Sequence, residues 1–108
     1  MADAVVCINM IHIAPWTATT ALMAGASRLL SNSGVLVLYG PYRRDGRHTA
    51  PSNEAFDRQL RSSNPVWGVR DLEAVTKAAA LHGLALQDMI AMPANNLSIV
   101  FRSAADPT

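Results

Sequence analysis

The segment from Val35 to Asn53, VLVLYGPYRRDGRHTAPSN, constrains this chain most. It opens on an unbroken apolar run, Val35 to Leu38. A short run of that kind reads as a strand buried on both faces, as in a parallel sheet. At Gly40-Pro41 it breaks into a polar loop carrying Tyr42, Arg43, Arg44, Asp45, Arg47, His48 and Asn53. Open α/β sheets bind ligands at the carboxyl ends of their strands, where such a change from apolar to polar falls.

The elements around this segment follow from periodicity. Ala4 to Ile11 is rich in β-branched residues and reads as a buried strand, with Asn9 to Pro15 as its carboxyl-end loop. From Trp16 to Leu30 the period becomes helical, with Ala18, Leu22, Ala26, Leu29 and Leu30 on one face. Ser31 to Gly34 should end that helix, Gly34 serving as a left-handed cap. After the loop, Ser52 can cap a short helix in which Phe56 and Leu60 pair at i, i+4. Ser62 to Gly68 is a turn-rich connector. Asp71 then caps a helix with Leu72, Val75, Ala79 and either His82 or Leu81 inward, stopped by Gly83. Leu84 to Met92 and Leu97 to Arg102 read as strands joined by the turn Pro93 to Asn96, an antiparallel hairpin. Ser103 to Thr108 reads as a flexible tail on a single domain of residues 1–108. The order strand, helix, strand, two helices, strand, strand predicts an α/β fold on a mixed sheet of about four strands.

Composition narrows the function. Half of the 108 residues are hydrophobic, 16% are charged and the net charge is +1, which gives no electrostatic case for nucleic acid or membrane as a partner. Cys7, the single cysteine, can form no internal disulfide and reads as an inert buried thiol. No basic segment followed by a long apolar core marks a signal peptide, and the single cysteine makes a reducing cytoplasm the expected compartment. His12, His48 and His82 lack metal-ligand spacing with each other or with Cys7, and no metal is expected. Trp16, Trp67, Met23, Met89 and Met92 read as packing or site-wall residues. Tyr42, Arg43, Arg44, Arg47 and His48 offer donors that suit a carboxylate or phosphate, hence a small anionic ligand. The plain alternative is a solvated loop turning at Asp45-Gly46.

Four segments, NMIHIAPW (Asn9 to Trp16), LYGPYRRDGRHTAPSN (Leu38 to Asn53), NPVWGVRDLE (Asn64 to Glu73) and MPANNLSIVF (Met92 to Phe101), together resemble the methyltransferase-like 26 family. That resemblance implies the class I S-adenosylmethionine (SAM) methyltransferase fold, with SAM as cofactor. In that fold SAM sits at a glycine-rich loop after the first strand, whereas the six glycines here are scattered and form no such motif. By analogy the chain corresponds to the carboxyl half of the fold, its strands four to seven. The residues that would bind the cofactor are therefore unknown.

The resemblance also implies roles for Asn9 and His12 in orienting substrate, with His12 as a candidate general base. The alternative is that Asn9 ends the strand and His12 bonds a backbone carbonyl. Asn53, Asn95 and Asn96 are substrate candidates too, although asparagine also suits turns. With strands one to three absent, Val5, Val6, Ile8 and Met10 would form an apolar edge. The expected partner is a second copy, making a homodimer through this strand, or a chain supplying the amino-terminal half. The functional expectation is a methyltransferase-related domain that holds the substrate side of the site. The alternative is a non-catalytic dimerising α/β module.

Overall fold

Strand β1 (Ala2–Ile8) carries the β-branched run at the amino terminus, in a computed structural model that describes residues 2–103. The strand stops earlier than expected, because Asn9 takes a left-handed conformation (φ 59°, ψ −4°). Asparagine tolerates that region better than most residues. The chain then closes into a single 3-10 turn, Met10–His12. Met10 therefore leaves the edge on which it was expected and packs, half-buried, against the core.

Helix α1 (Trp16–Leu29) buries Thr19, Met23 and Ala26. The expected face is rotated by about one residue: Leu22 is half-buried and Leu29 is 59% exposed. An alanine-rich helix has little difference between neighbouring faces, so tertiary packing selects one. Gly34 does not cap this helix. Leu30 is already extended, and strand β2 (Leu30–Gly40) starts there. Its pairing with β1 jumps from Ala2↔Leu30 to Ala4↔Val35, an irregularity that absorbs the extra residues.

Two short strands missed by the periodicity, β3 (Arg43–Arg44) and β4 (Arg47–His48), form a hairpin. Asp45 and Gly46 at its tip both have positive φ, 53° and 74°, the requirement of a tight hairpin turn. Helix α2 (Pro51–Ser63) is capped at Ala50 with Pro51 in its first turn, rather than by Ser52. Helix α3 (Leu72–Ala80) starts after Asp71 as expected and buries Leu72, Val75, Ala78 and Ala79; Leu81 is exposed. Gly83, at φ 75°, turns the chain into β5 (Leu84–Met92). A turn over Pro93–Asn95 leads back into β6 (Asn96–Ser103). Ser103, expected to begin a flexible tail, is instead the last residue of β6 and pairs with Leu84, and the rest of that expected tail lies outside the described residues.

The sheet order is β1-β2-β6-β5, with β1 and β2 parallel and β6 antiparallel to both its neighbours. This is the expected mixed α/β sheet. One face carries Val5, Cys7, Leu36, Leu38, Ile99 and Phe101, packed against Met23 and Ala26 of α1 and Leu72, Val75 and Ala79 of α3. The register puts Ala4, Val6, Ile8, Val35, Val37, Tyr39, Ser98 and Val100 together on the opposite face. There Val35 and Val37 are only half-buried, so β2 is not enclosed on both sides as its apolar run suggested. Val6 and Ile8, on edge strand β1, are 64% and 63% exposed. Among the described residues no helix is long and apolar enough to cross a membrane.

Candidate functional site

The register brings three chain segments to one end of the sheet. β1 and β2 run parallel and finish side by side, with Ile8 opposite Tyr39. The β5–β6 turn lies at the same end, because Gly40 pairs with Leu97. Asn9, His12, Tyr42, Asn53, Asn95 and Asn96 all gather there.

The tightest contact is at Gly40. A Cβ built on it would lie 2.6 Å from Asn9 Oδ1 and 3.0 Å from His12 Nε2. Only glycine lets both side chains rest on this strand end. His12 is fully buried, and its ring meets the Tyr42 ring edge-on with centroids 5.0 Å apart. Its Nδ1 accepts the backbone N–H of Arg70 at 3.1 Å. Burial, helped by the Arg70 charge, lowers its pKa from 6.5 to about 4, so the ring is neutral near pH 7. With Nδ1 accepting, the ring proton belongs on Nε2. Nε2 and Asn9 Oδ1 are buried without a hydrogen-bond partner. Tyr42 is also buried, and desolvation pushes its phenol further above the ordinary range.

Arg70 organises the loop below His12. Its Nε donates to Ile11 O at 3.0 Å, and one terminal nitrogen donates to Ala14 O and Val66 O at 2.6 and 2.8 Å. Its guanidinium also lies over the Trp16 ring, 5.6 Å from the centroid. On the other side of the end, Asn53 donates to Thr49 Oγ1 and Asn95 O, and Asn95 donates to Ser52 Oγ. Asn96 donates to the Tyr39 hydroxyl at 3.3 Å. A cavity of about 190 Å³ opens here between Arg44, Thr49, Met92, Asn95, Asn96 and Leu97.

The cationic loop does not converge on a single point. Arg43 forms an ion pair with Asp71 at 3.3 Å and donates to Gly46 O. Arg44 and Arg47 are exposed on the hairpin. His48 Nε2 lies 3.2 Å from Asp57 Oδ2. Asp57 was not singled out from the sequence, yet it is buried on α2 and also accepts Val69 N–H at 2.9 Å and Arg61 Nε at 3.0 Å. Burial alone would raise its pKa, but the Val69 N–H, Arg61 and His48 together hold its carboxyl below the usual range. Its spacing to Asn53 and Leu60, i−4 and i+3, was the one signal that it faces inward. Cys7 is half-buried, and desolvation raises its thiol. Trp16 packs against the core, as does fully buried Met23, whereas Trp67 and Met92 are half-buried and Met89 is exposed. No group of three potential ligands among the described residues could hold a metal.

The sequence model of a family described as protein of unknown function (DUF938) matches residues 1–103. The chain belongs to the DUF938 family. Its fold recurs in solved structures. An O-methyltransferase family 2 protein from Planctomyces limnophilus, in complex with apigenin, superposes with a TM-score of 0.85 at 21% identity, covering 95% of the DUF938 chain and 30% of that protein. The pyocyanin biosynthetic protein PhzM gives 0.79 at 17%, covering 95% and 31%. LepI, solved in complex with SAM, gives 0.77 at 15%, covering 94% and 26%. At these identities the likeness establishes the fold. The DUF938 chain spans less than a third of each, and its sheet is that of their carboxyl-terminal part.

Proposed function

We propose that this chain is the substrate side of a SAM-dependent methyltransferase, as its resemblance to the methyltransferase-like 26 family implies. One observation carries the reading: Asn9, His12, Tyr42, Asn53, Asn95 and Asn96 gather beyond the carboxyl ends of two parallel strands, where this architecture binds its ligands. In this arrangement Asn9 is an acceptor and His12 Nε2–H a donor. The pair suits orienting a polar group rather than removing a proton.

The described glycines do not fit SAM. Gly25 lies within α1, the space beside Gly40 is filled by Asn9 and His12, Gly68 faces Asp57 and Arg61, and Gly46 and Gly83 lie in open turns. None makes the backbone cradle that a cofactor's carboxylate and ribose need, so SAM binding is a property of the completed site. The natural complement is a glycine-rich amino-terminal half, on whichever chain carries it. Its strand would pair with β1, and its helices would cover the open face of Val6, Ile8, Val37 and Val100. A second copy joined through β1 would close the edge but leave that face bare. Calorimetry with SAM and S-adenosylhomocysteine tests the reading, on the purified chain and on its mixture with the amino-terminal half. Heat only in the mixture supports it. No heat in either refutes it and leaves the dimerising module, which light scattering would show as a dimer.

A further inference from the structure

Of the cationic residues expected on the Gly40–Asn53 loop, only Arg43 reaches a second pocket, which is otherwise built from residues distant in sequence. Arg43, Arg61 and Arg70 line one pocket of about 200 Å³ together with Trp16, Val69, Asp71 and Ala74. Its electrostatics are unbalanced. Asp71 is paired with Arg43, and Asp57, just behind the wall, has both oxygens taken by Arg61, His48 and the Val69 N–H. Three guanidinium groups face two carboxylates, which leaves one positive charge. Arg61 and Arg70 are close enough that the Arg61 charge depresses the Arg70 pKa, after desolvation.

Donors remain for a ligand. Arg61 spends only Nε on Asp57, and its side chain is about half exposed. Arg70 uses Nε and one terminal nitrogen on backbone carbonyls, and Arg43 uses Nε and one terminal nitrogen on Asp71 and Gly46. Arg70 is fixed by those carbonyls and by the Trp16 ring, so its remaining nitrogen is held in place before any ligand arrives. Beside these donors the pocket also has apolar lining: the Trp16 indole, over which Arg70 lies, Val69 and Ala74.

We infer that this pocket binds a small organic carboxylate, its carboxylate on Arg61 and the free arginine nitrogens and its carbon skeleton against Trp16, Val69 and Ala74. Guanidinium matches a carboxylate with two parallel hydrogen bonds. A single negative charge neutralises the site, whereas a phosphate dianion would over-compensate it. The inference does not depend on the methyltransferase reading.

Titration of the chain with benzoate, against inorganic phosphate at the same ionic strength, tests it by calorimetry and by shifts of the Trp16 indole N–H resonance. Saturable benzoate binding with a Kd below about 10 mM, about tenfold tighter than phosphate, is the expected result. Arg61→Lys keeps the charge but loses the fork, and should weaken benzoate by about tenfold. Ala74→Leu fills the pocket without touching a charge and should abolish binding, which keeps the test decisive if the arginine variant folds poorly. Failure to saturate, phosphate binding as tightly as benzoate, or full benzoate affinity in folded Ala74→Leu would overturn the inference.

Discussion

Gly40→Ala tests the centre of the site most directly. The added methyl would sit 2.6 Å from Asn9 Oδ1, 3.0 Å from His12 Nε2 and 3.2 Å from His12 Cδ2. The first is closer than a Cβ can approach, and the other two are tighter than ordinary contact. The imidazole cannot retreat, since it is fully buried between the Tyr42 ring and the Arg70 N–H. Relief must come from Asn9 or from the strand end itself. Overpacking of this kind costs about 1–3 kcal/mol, which for a domain of this size lowers Tm by several degrees. A double-mutant cycle with Asn9→Gly isolates the contact, because glycine keeps the φ of 59° while removing Oδ1. Urea unfolding of the parent, both single variants and the double variant gives the four free energies. The double variant should be more stable than the sum of the single effects predicts, by about 1 kcal/mol. A Gly40→Ala protein within about 0.5 kcal/mol of the parent, or strict additivity, would refute the packing described for this end of the sheet.

Four further outcomes are expected. The folded pKa of His12, about 4, lies below its ordinary 6.5, so unfolding takes up a proton between these values; stability present above pH 6.5 should fall by about 3 kcal/mol toward pH 4, and His12→Gln should flatten that slope in urea titrations. Nitrogen-15 shifts of the His12 ring should report the Nε2–H tautomer, and an Nδ1–H signal would contradict the Arg70 hydrogen bond. Asp57→Asn, which leaves His48 and Arg61 without their carboxylate, should cost about 1–3 kcal/mol in thermal or urea unfolding. Val6→Lys and Ile8→Lys, on the exposed face of β1, should each change the chain's own stability by less than about 0.5 kcal/mol but prevent co-purification with the amino-terminal half.

The order of elements was legible because the period changes cleanly along the chain. Val35 to Leu38, Leu84 to Met92 and Leu97 to Arg102 could hardly read otherwise, and Asp45-Gly46 carried its own turn signal. Two kinds of feature were not legible. One is a choice between near-equal local options, such as Thr19 and Met23 of α1 turning inward instead of Ala18 and Leu22. The other is contact across long stretches of chain. Asp57 meets a backbone N–H 12 residues away, and Arg70 meets Ala14 and Ile11 from 56 and 59 residues away. No local pattern announces such partners. The six residues expected at the strand ends do gather there, because a parallel β1–β2 pair and a returning hairpin leave them no other place. The cationic loop residues disperse instead, since the β3–β4 hairpin sends neighbouring side chains to opposite sides.

These contacts bear on how the strand end can act. The Arg70 N–H holds His12 Nδ1 as an acceptor, which fixes the ring proton on Nε2 and leaves that donor beside Gly40. For Nε2 to accept a proton as a neutral base, the ring proton would have to move to Nδ1, setting one N–H against another in a buried site. The Arg70 hydrogen bond would then be lost. The guanidinium of the same residue binds the Ile11 and Ala14 carbonyls and walls the arginine pocket, so losing it would disturb both places. Orienting a polar group through a fixed donor and acceptor requires none of this. On the proposed reading, this strand end would orient a polar group of the substrate, and the chemistry would be completed by groups on the half of the sheet that would pair with β1.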